Sequence, residues 1–243
     1  MAWARELLAA VAHLSPVGSE RFAFTDEEMA GSLAFYPAVG LALGVVTAIV
    51  SALALRWAGQ PSGGVAAVLL LEGWARGRHR RNIAALPALL LPHRWSGRLI
   101  TGLGVGVASL AFLLKLDCAV HMPPPTLWAA CLLAPLLSRW AMVVQTHGGR
   151  REYAHGRAVQ LVGRAGFREF GAASVCTFVV VLSTAQAIGL LLLLTVALTT
   201  LALRVIVAWR IGGFTGRLLG ATTELIETVV FAVLAGLVVL GAA

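Results

Sequence analysis

Charge is scarce in this sequence. Charged residues make up 12% of its 243 positions against 59% hydrophobic, and mean hydropathy is +0.86. Such a chain cannot present most of its length to water, which excludes an ordinary soluble domain and identifies an integral membrane protein. A soluble helical domain would also need polar faces at 3.6-residue spacing, and long stretches here have none. Aspartate occurs twice, as Asp26 and Asp117, and eighteen of the 19 basic residues are Arg. No Walker loop, HExxH pair or defensible Ser/His/Asp order is present, and the six His form no pair at helical spacing. Cys118, Cys131 and Cys176 make no CxxC and read as small buried hydrophobes. The Arg residues lack interleaved aromatics, which argues against nucleic acid. Neither repeat nor linker divides the chain, so residues 1–243 read as one membrane domain.

Long apolar runs are what remains. A spanning helix needs about 20 mainly apolar residues. Residues 32–55, 99–119, 127–145 and 226–242 qualify, and 63–75 is short enough to be oblique or re-entrant. The run 171–208 is too long for one span and is expected to turn near Ser183, Gln186 and Gly189. Near the N-terminus, Trp3, Leu7, Leu8, Val11 and Leu14 share one face, predicting an amphipathic helix on the membrane; residues 82–92 also read as interfacial. The expected fold is therefore all-α, a polytopic transmembrane bundle of about seven spans. Segments 76–98, 150–168 and 204–217 carry the Arg excess, and seven crossings with the N-terminus inside place all three in the cytoplasm.

Ionisable groups inside a bilayer are costly and usually have a reason. Glu224 and Glu227 stand three apart, just after GGFTGRLLGATT, either as carboxylates near a helix start or as part of a polar opening where backbone NH groups and Thr215 hold a phosphate. Glu72 has Arg76 four residues on, an ion pair in the simpler reading and a metal ligand in the sharper one. Arg76, Arg78, Arg80 and Arg81 either set topology or bind a polyanion such as lipid headgroups or nucleotide phosphate. Ser138 and Arg139 interrupt an apolar helix, and that Arg needs a partner or a watery cavity. Lys115, Asp117 and His121 are expected at the outer interface.

Three stretches carry a family resemblance: FAFTDEEMAGSLAFYPAVGLALG (22–44), SRWAMV (138–143) and GGFTGRLLGATTELIETVVF (212–231). The chain resembles cobalamin synthase, the adenosylcobinamide-GDP ribazoletransferase family. The resemblance implies a polytopic bacterial inner-membrane enzyme that joins adenosylcobinamide-GDP to α-ribazole or its phosphate and releases GMP in a Mg2+-dependent step. It points to Glu72, Glu224 and Glu227 as catalytic residues, with Glu72 as a Mg2+ ligand. Arg76, Arg78, Arg80, Ser138, Arg139, Thr215, Gly216 and Arg217 then become substrate-binding candidates. It leaves oligomeric state open.

The chain departs from the family pattern where acids are expected. A motif close to His-Leu-Asp-Gly-Leu-Ala-Asp-Thr-x-Asp-Gly is met here by Leu70 to Arg80, keeping one acid as Glu72 and placing Arg76 and His79 at the others. The family's Thr-Gly-Asp is Thr215, Gly216, Arg217, and its Lys-Asp-Ser has no counterpart in HRWSGRLIT. Because Mg2+ prefers carboxylate oxygens and water, these changes predict little or no activity. Two readings follow: an enzyme with a rearranged site, and a non-catalytic relative that binds a corrinoid, a nucleotide or a membrane partner. An unrelated small transporter would fit the composition but not the three stretches.

Overall fold

A computed structural model of the chain describes residues 2–15, 22–75, 78–91, 96–148, 161–162, 166–210 and 215–241, the side chains of Ala2, Arg78 and His79 excepted. Among these residues the regular structure is helical. The order is α1 (Ala2–Leu14), α2 (Asp26–Ser32), a 3-10 turn (Leu33–Phe35), α3 (Tyr36–Ala58), α4 (Ser62–Trp74), α5 (Arg78–Ala84), α6 (Leu86–Leu90), α7 (Gly97–His121), α8 (Pro124–Thr146), α9 (Phe167–Arg210) and α10 (Gly216–Val239). Five helical stretches are long and apolar enough to cross a membrane: Asp26–Ala58, α7, α8, α9 and α10.

α9 is two helices. Gln186 breaks it with φ 43°, and a Cβ on Gly189 would lie 2.7 Å from the Val181 carbonyl oxygen. Eight residues of continuous helix would hold those positions about 12 Å apart, so the chain reverses there. The break falls inside the Ser183–Gly189 window expected from the sequence. α4 is the short element, 13 residues long, and forms a tight hairpin with α3 in which Ser62 Oγ donates to the Ala54 carbonyl at 2.7 Å.

α8 is the central helix, buried over most of its length and packed against α3, α9 and α10. Apolar burial does not drive association in lipid, where close packing and polar contacts must. α3 supplies close packing with Gly40 and Gly44. A Cβ at Gly40 would overlap the Pro135 carbonyl, and one at Gly44 would sit 2.8 Å from the Cys131 carbonyl. Pro135 lies inside α8 and offers no N–H to Cys131, four residues earlier, so this seam combines small residues with a proline-loosened turn.

Two further arrangements frame the site. α1 packs Ala9 and Ala10 into a cluster with Met29, Leu33 and Tyr36 and leaves Trp3, Leu8 and Val11 exposed, while Leu7 and Leu14 of the predicted apolar face are half-buried and Leu14 packs on that cluster. Its last carbonyl, at Leu14, accepts a hydrogen bond from Trp74 Nε1 at 3.1 Å. α5 differs from expectation. Rather than lying wholly in the interface with the rest of 82–92, it packs against both α7 and α10 and buries Ile83. Glycine permits this: a Cβ at Gly104 would overlap the Ala84 carbonyl, and one at Gly220 would overlap the Asn82 amide.

Candidate active site

Five ionisable side chains converge inside the bundle. Glu72 comes from α4, Lys115 from α7, Arg139 from α8, and Glu224 and Glu227 from α10; all five are buried. Lys115 Nζ stands 2.7 Å from Glu224 Oε1, 3.2 Å from Glu72 Oε1 and 3.4 Å from Glu227 Oε2. Glu227 is held from its other oxygen as well: Oε1 accepts from Arg139 and, at 3.3 Å, from Ser138 Oγ. Arg139 also donates to Ser138 Oγ at 2.7 Å, and Ser138 Oγ donates to the Pro135 carbonyl at 3.1 Å.

Local sequence explains the convergence. Glu224 and Glu227 are i, i+3 on α10 and project from one face. Ser138 and Arg139 follow Pro135 by one turn on α8, the helix against which α10 packs. Farther along the same seam, Thr222 Oγ1 donates to Gln145 Oε1 at 2.9 Å. The polar track therefore runs from Thr222 and Gln145 to Glu224, Lys115 and Glu72, and on to Glu227 and Arg139.

Several expectations change. Lys115 does not lie at the outer interface: its side chain is fully buried and turned inward to three carboxylates, while Asp117 and His121 are exposed and pair with each other at 3.2 Å. α10 starts at Gly216, ten residues before the apolar run at 226, so Glu224 and Glu227 lie in its third and fourth turns rather than at its start. Glu72 pairs with Lys115; Arg76 lies outside the described residues. Arg139 finds the partner that its position demanded in Glu227.

The substrate-binding candidates divide in two. Ser138 and Arg139 belong to the buried cluster. Arg80 is half-buried, with its guanidinium 4.5 Å from the Phe112 ring centroid, and Phe112 precedes Lys115 by one turn of α7. Thr215 caps α10, its Oγ1 accepting from the Leu218 N–H at 3.3 Å, and Gly216 and Arg217 are exposed in the first turn. The side chains of Arg78 and His79, and residues 149–160, 163–165 and 211–214, lie outside the described residues.

The cluster does not fit a Mg2+ ion. That ion needs near-octahedral oxygen ligands at about 2.0–2.1 Å. Here one oxygen of each Glu is already turned to an ammonium, and Glu227 has both engaged. No group of three or more His, Cys, Asp or Glu among the described residues is placed to hold a metal ion. What the cluster can offer is hydrogen-bond acceptance, because Glu72 Oε2 and Glu224 Oε2 are buried with no partner among the described residues.

Comparison with known proteins agrees with this membrane architecture and gives it a lineage. No solved structure matches the chain. An adenosylcobinamide-GDP ribazoletransferase of Roseiflexus sp. (strain RS-1) is 30% identical over 226 residues, covering 86% of this chain and 81% of that protein. The sequence model of the cobalamin-5-phosphate synthase family matches residues 6–80 and 101–235, which include all five ionisable residues of the cluster. The chain belongs to the cobalamin-5-phosphate synthase family.

Proposed function

We propose that this chain is a ribazoletransferase of the bacterial inner membrane, with its Arg-rich segments on the cytoplasmic side. It binds adenosylcobinamide-GDP with the diphosphate between α5 and the start of α10, and joins it to α-ribazole or its phosphate with release of GMP. The observation that carries this reading is the place of α5. Wedged between α7 and α10, it sets Arg80 over Phe112, one turn of α7 from Lys115, and lays Asn82 against Gly220 near the start of α10. A diphosphate needs concentrated positive charge, which Arg supplies as a planar fork and a helix N-terminus supplies through its free amides. The Roseiflexus relative's name supports the choice of substrate.

In the reaction, a ribazole hydroxyl oxygen bonds to the diphosphate phosphorus nearest the corrinoid. The bond from that phosphorus to the bridging oxygen breaks, and GMP leaves with the electron pair. Glu72 is the candidate to take the hydroxyl proton: as a residue it is 8% exposed against 1% for Glu224 and Glu227, and its buried Oε2 has no partner among the described residues. Such general-base help is worth about 10²–10⁴-fold in rate. No metal-assisted step is assigned to the cluster, so turnover is expected to be slow.

A second reading, binding without turnover, is favoured by Arg76, His79 and Arg217, which stand where the family resemblance implies acids. Expression in a cell lacking its own cobalamin synthase, paired with a GMP-release assay on purified protein with and without Mg2+, separates the two. Growth rescue with GMP release supports the enzyme. Retained binding of adenosylcobinamide-GDP without rescue supports the scaffold, most clearly if Arg76→Asp, His79→Asp and Arg217→Asp together restore some growth. Absence of both binding and rescue overturns both readings.

A further inference from the structure

We infer that Lys115 is itself the resident cation of the Glu72, Glu224 and Glu227 carboxylates, so that this chain holds no divalent metal ion among them. An ammonium has three N–H donors, and Lys115 Nζ has three carboxylate oxygens around it at 2.7, 3.2 and 3.4 Å, one from each Glu. Its donors are matched one to one, and its side chain is wholly buried. The oxygens that a metal ion would gather from α4 and α10 are thus gathered by a cation already bonded to the chain.

Charge leads to the same assignment. Three carboxylates face Lys115 and Arg139, so among the described residues of the cluster the acids outnumber the cations by one. Adding a divalent ion would overshoot that deficit and set two like-charged centres side by side in a medium that screens them poorly. Glu72 Oε2 and Glu224 Oε2, which meet no donor among the described residues, call for a hydrogen bond instead. Lys115 is accordingly a positioning residue, fixing carboxylates from α4 and α10 around α7, and its charge excludes a metal from the space they enclose. This inference concerns the resting protein and does not depend on whether the chain turns over.

Mn2+ is a suitable probe, because binding removes the six-line paramagnetic signal of the free ion. The full chain is titrated in neutral detergent without nucleotide. Wild-type protein is expected to bind no Mn2+ that depends on Glu224. Lys115→Met is expected to gain one saturable Mn2+ per chain, lost again in Lys115→Met/Glu224→Gln, while Lys115→Arg stays metal-free. A merely structural lysine would not produce that gain. Wild-type binding of one Mn2+ that Glu224→Gln abolishes would overturn the inference, as would a monodisperse, helical Lys115→Met that gains none. If Lys115→Met does not fold, the comparison of wild type with Glu224→Gln decides the matter alone.

Discussion

Lys115 Nζ lies 2.7 Å from Glu224 Oε1 although 109 residues separate them in sequence. Their pairing joins α7 to α10 through the interior of a bundle whose outer faces are almost wholly apolar.

This pair predicts a stability pattern. Removing one partner of a buried ion pair costs about 3–5 kcal/mol, because the other charge is left uncompensated. Lys115→Met should therefore lower the thermal midpoint of the detergent-solubilised protein more than Lys115→Met/Glu224→Gln does. A double variant that shows the full sum of the two single losses would mean that the residues are not coupled.

Catalysis should separate the glutamates. Glu72→Gln is expected to slow GMP release by about 10²–10⁴-fold and to lower the thermal midpoint less than Glu227→Gln, because Glu72 answers Lys115 alone. Glu227→Gln should instead lower stability, since it loosens Arg139, Ser138 and Lys115 together. Parallel assays of rate and melting on both variants check this; equal behaviour would contradict the assignment of Glu72 as base.

Arg80 gives a binding prediction. Arg80→Gln should weaken a fluorescent GDP analogue and flatten the salt dependence of what binding remains. Phe112→Leu should have a smaller effect in the same direction, about 0.5–1 kcal/mol, by removing the ring on which the guanidinium rests. Unchanged affinity in Arg80→Gln would place the diphosphate elsewhere.

Gly104 tests the docking of α5. Any Cβ there meets the Ala84 backbone carbonyl rather than a side chain that could swing aside. Gly104→Ala should cost about 1–3 kcal/mol of packing and reduce GDP binding without a substitution on α5 itself. Full retention of binding and melting would show that α5 does not need this close approach.

The two ends of α7 test sidedness. In a background without Cys118, Cys131 and Cys176, single cysteines replacing Arg98 and His121 should be labelled from opposite faces of the membrane, Arg98→Cys from the cytoplasmic one. Labelling of both from the same face would refute α7 as a crossing.

Much of the bundle was legible from hydropathy, because span length and the polar break near Gln186 are local properties. Ser138 and Arg139 also announced themselves, since an Arg in an apolar helix must find a partner. Lys115 did not. Two residues before Asp117 and near a helix end, it looks like an interfacial lysine, and its partners lie 43, 109 and 112 positions away. The usable signal was that it is the only Lys in the chain and sits in an otherwise apolar AFLLKL. The start of α10 was misplaced for a related reason: Glu224 and Glu227 interrupt the apolar run, but their charge is answered by α7 and α8, and periodicity within one helix carries no trace of that.

The Trp74 indole, hydrogen-bonded to the Leu14 carbonyl, is two residues from Glu72 and at the last turn of α4. α1 shows Trp3, Leu8 and Val11 to lipid, so the depth at which it rides is set by acyl-chain packing and headgroup spacing. One hydrogen bond therefore ties the exposed α1 to the end of α4, and about half a turn of α4 separates that tie from the carboxylate that answers Lys115.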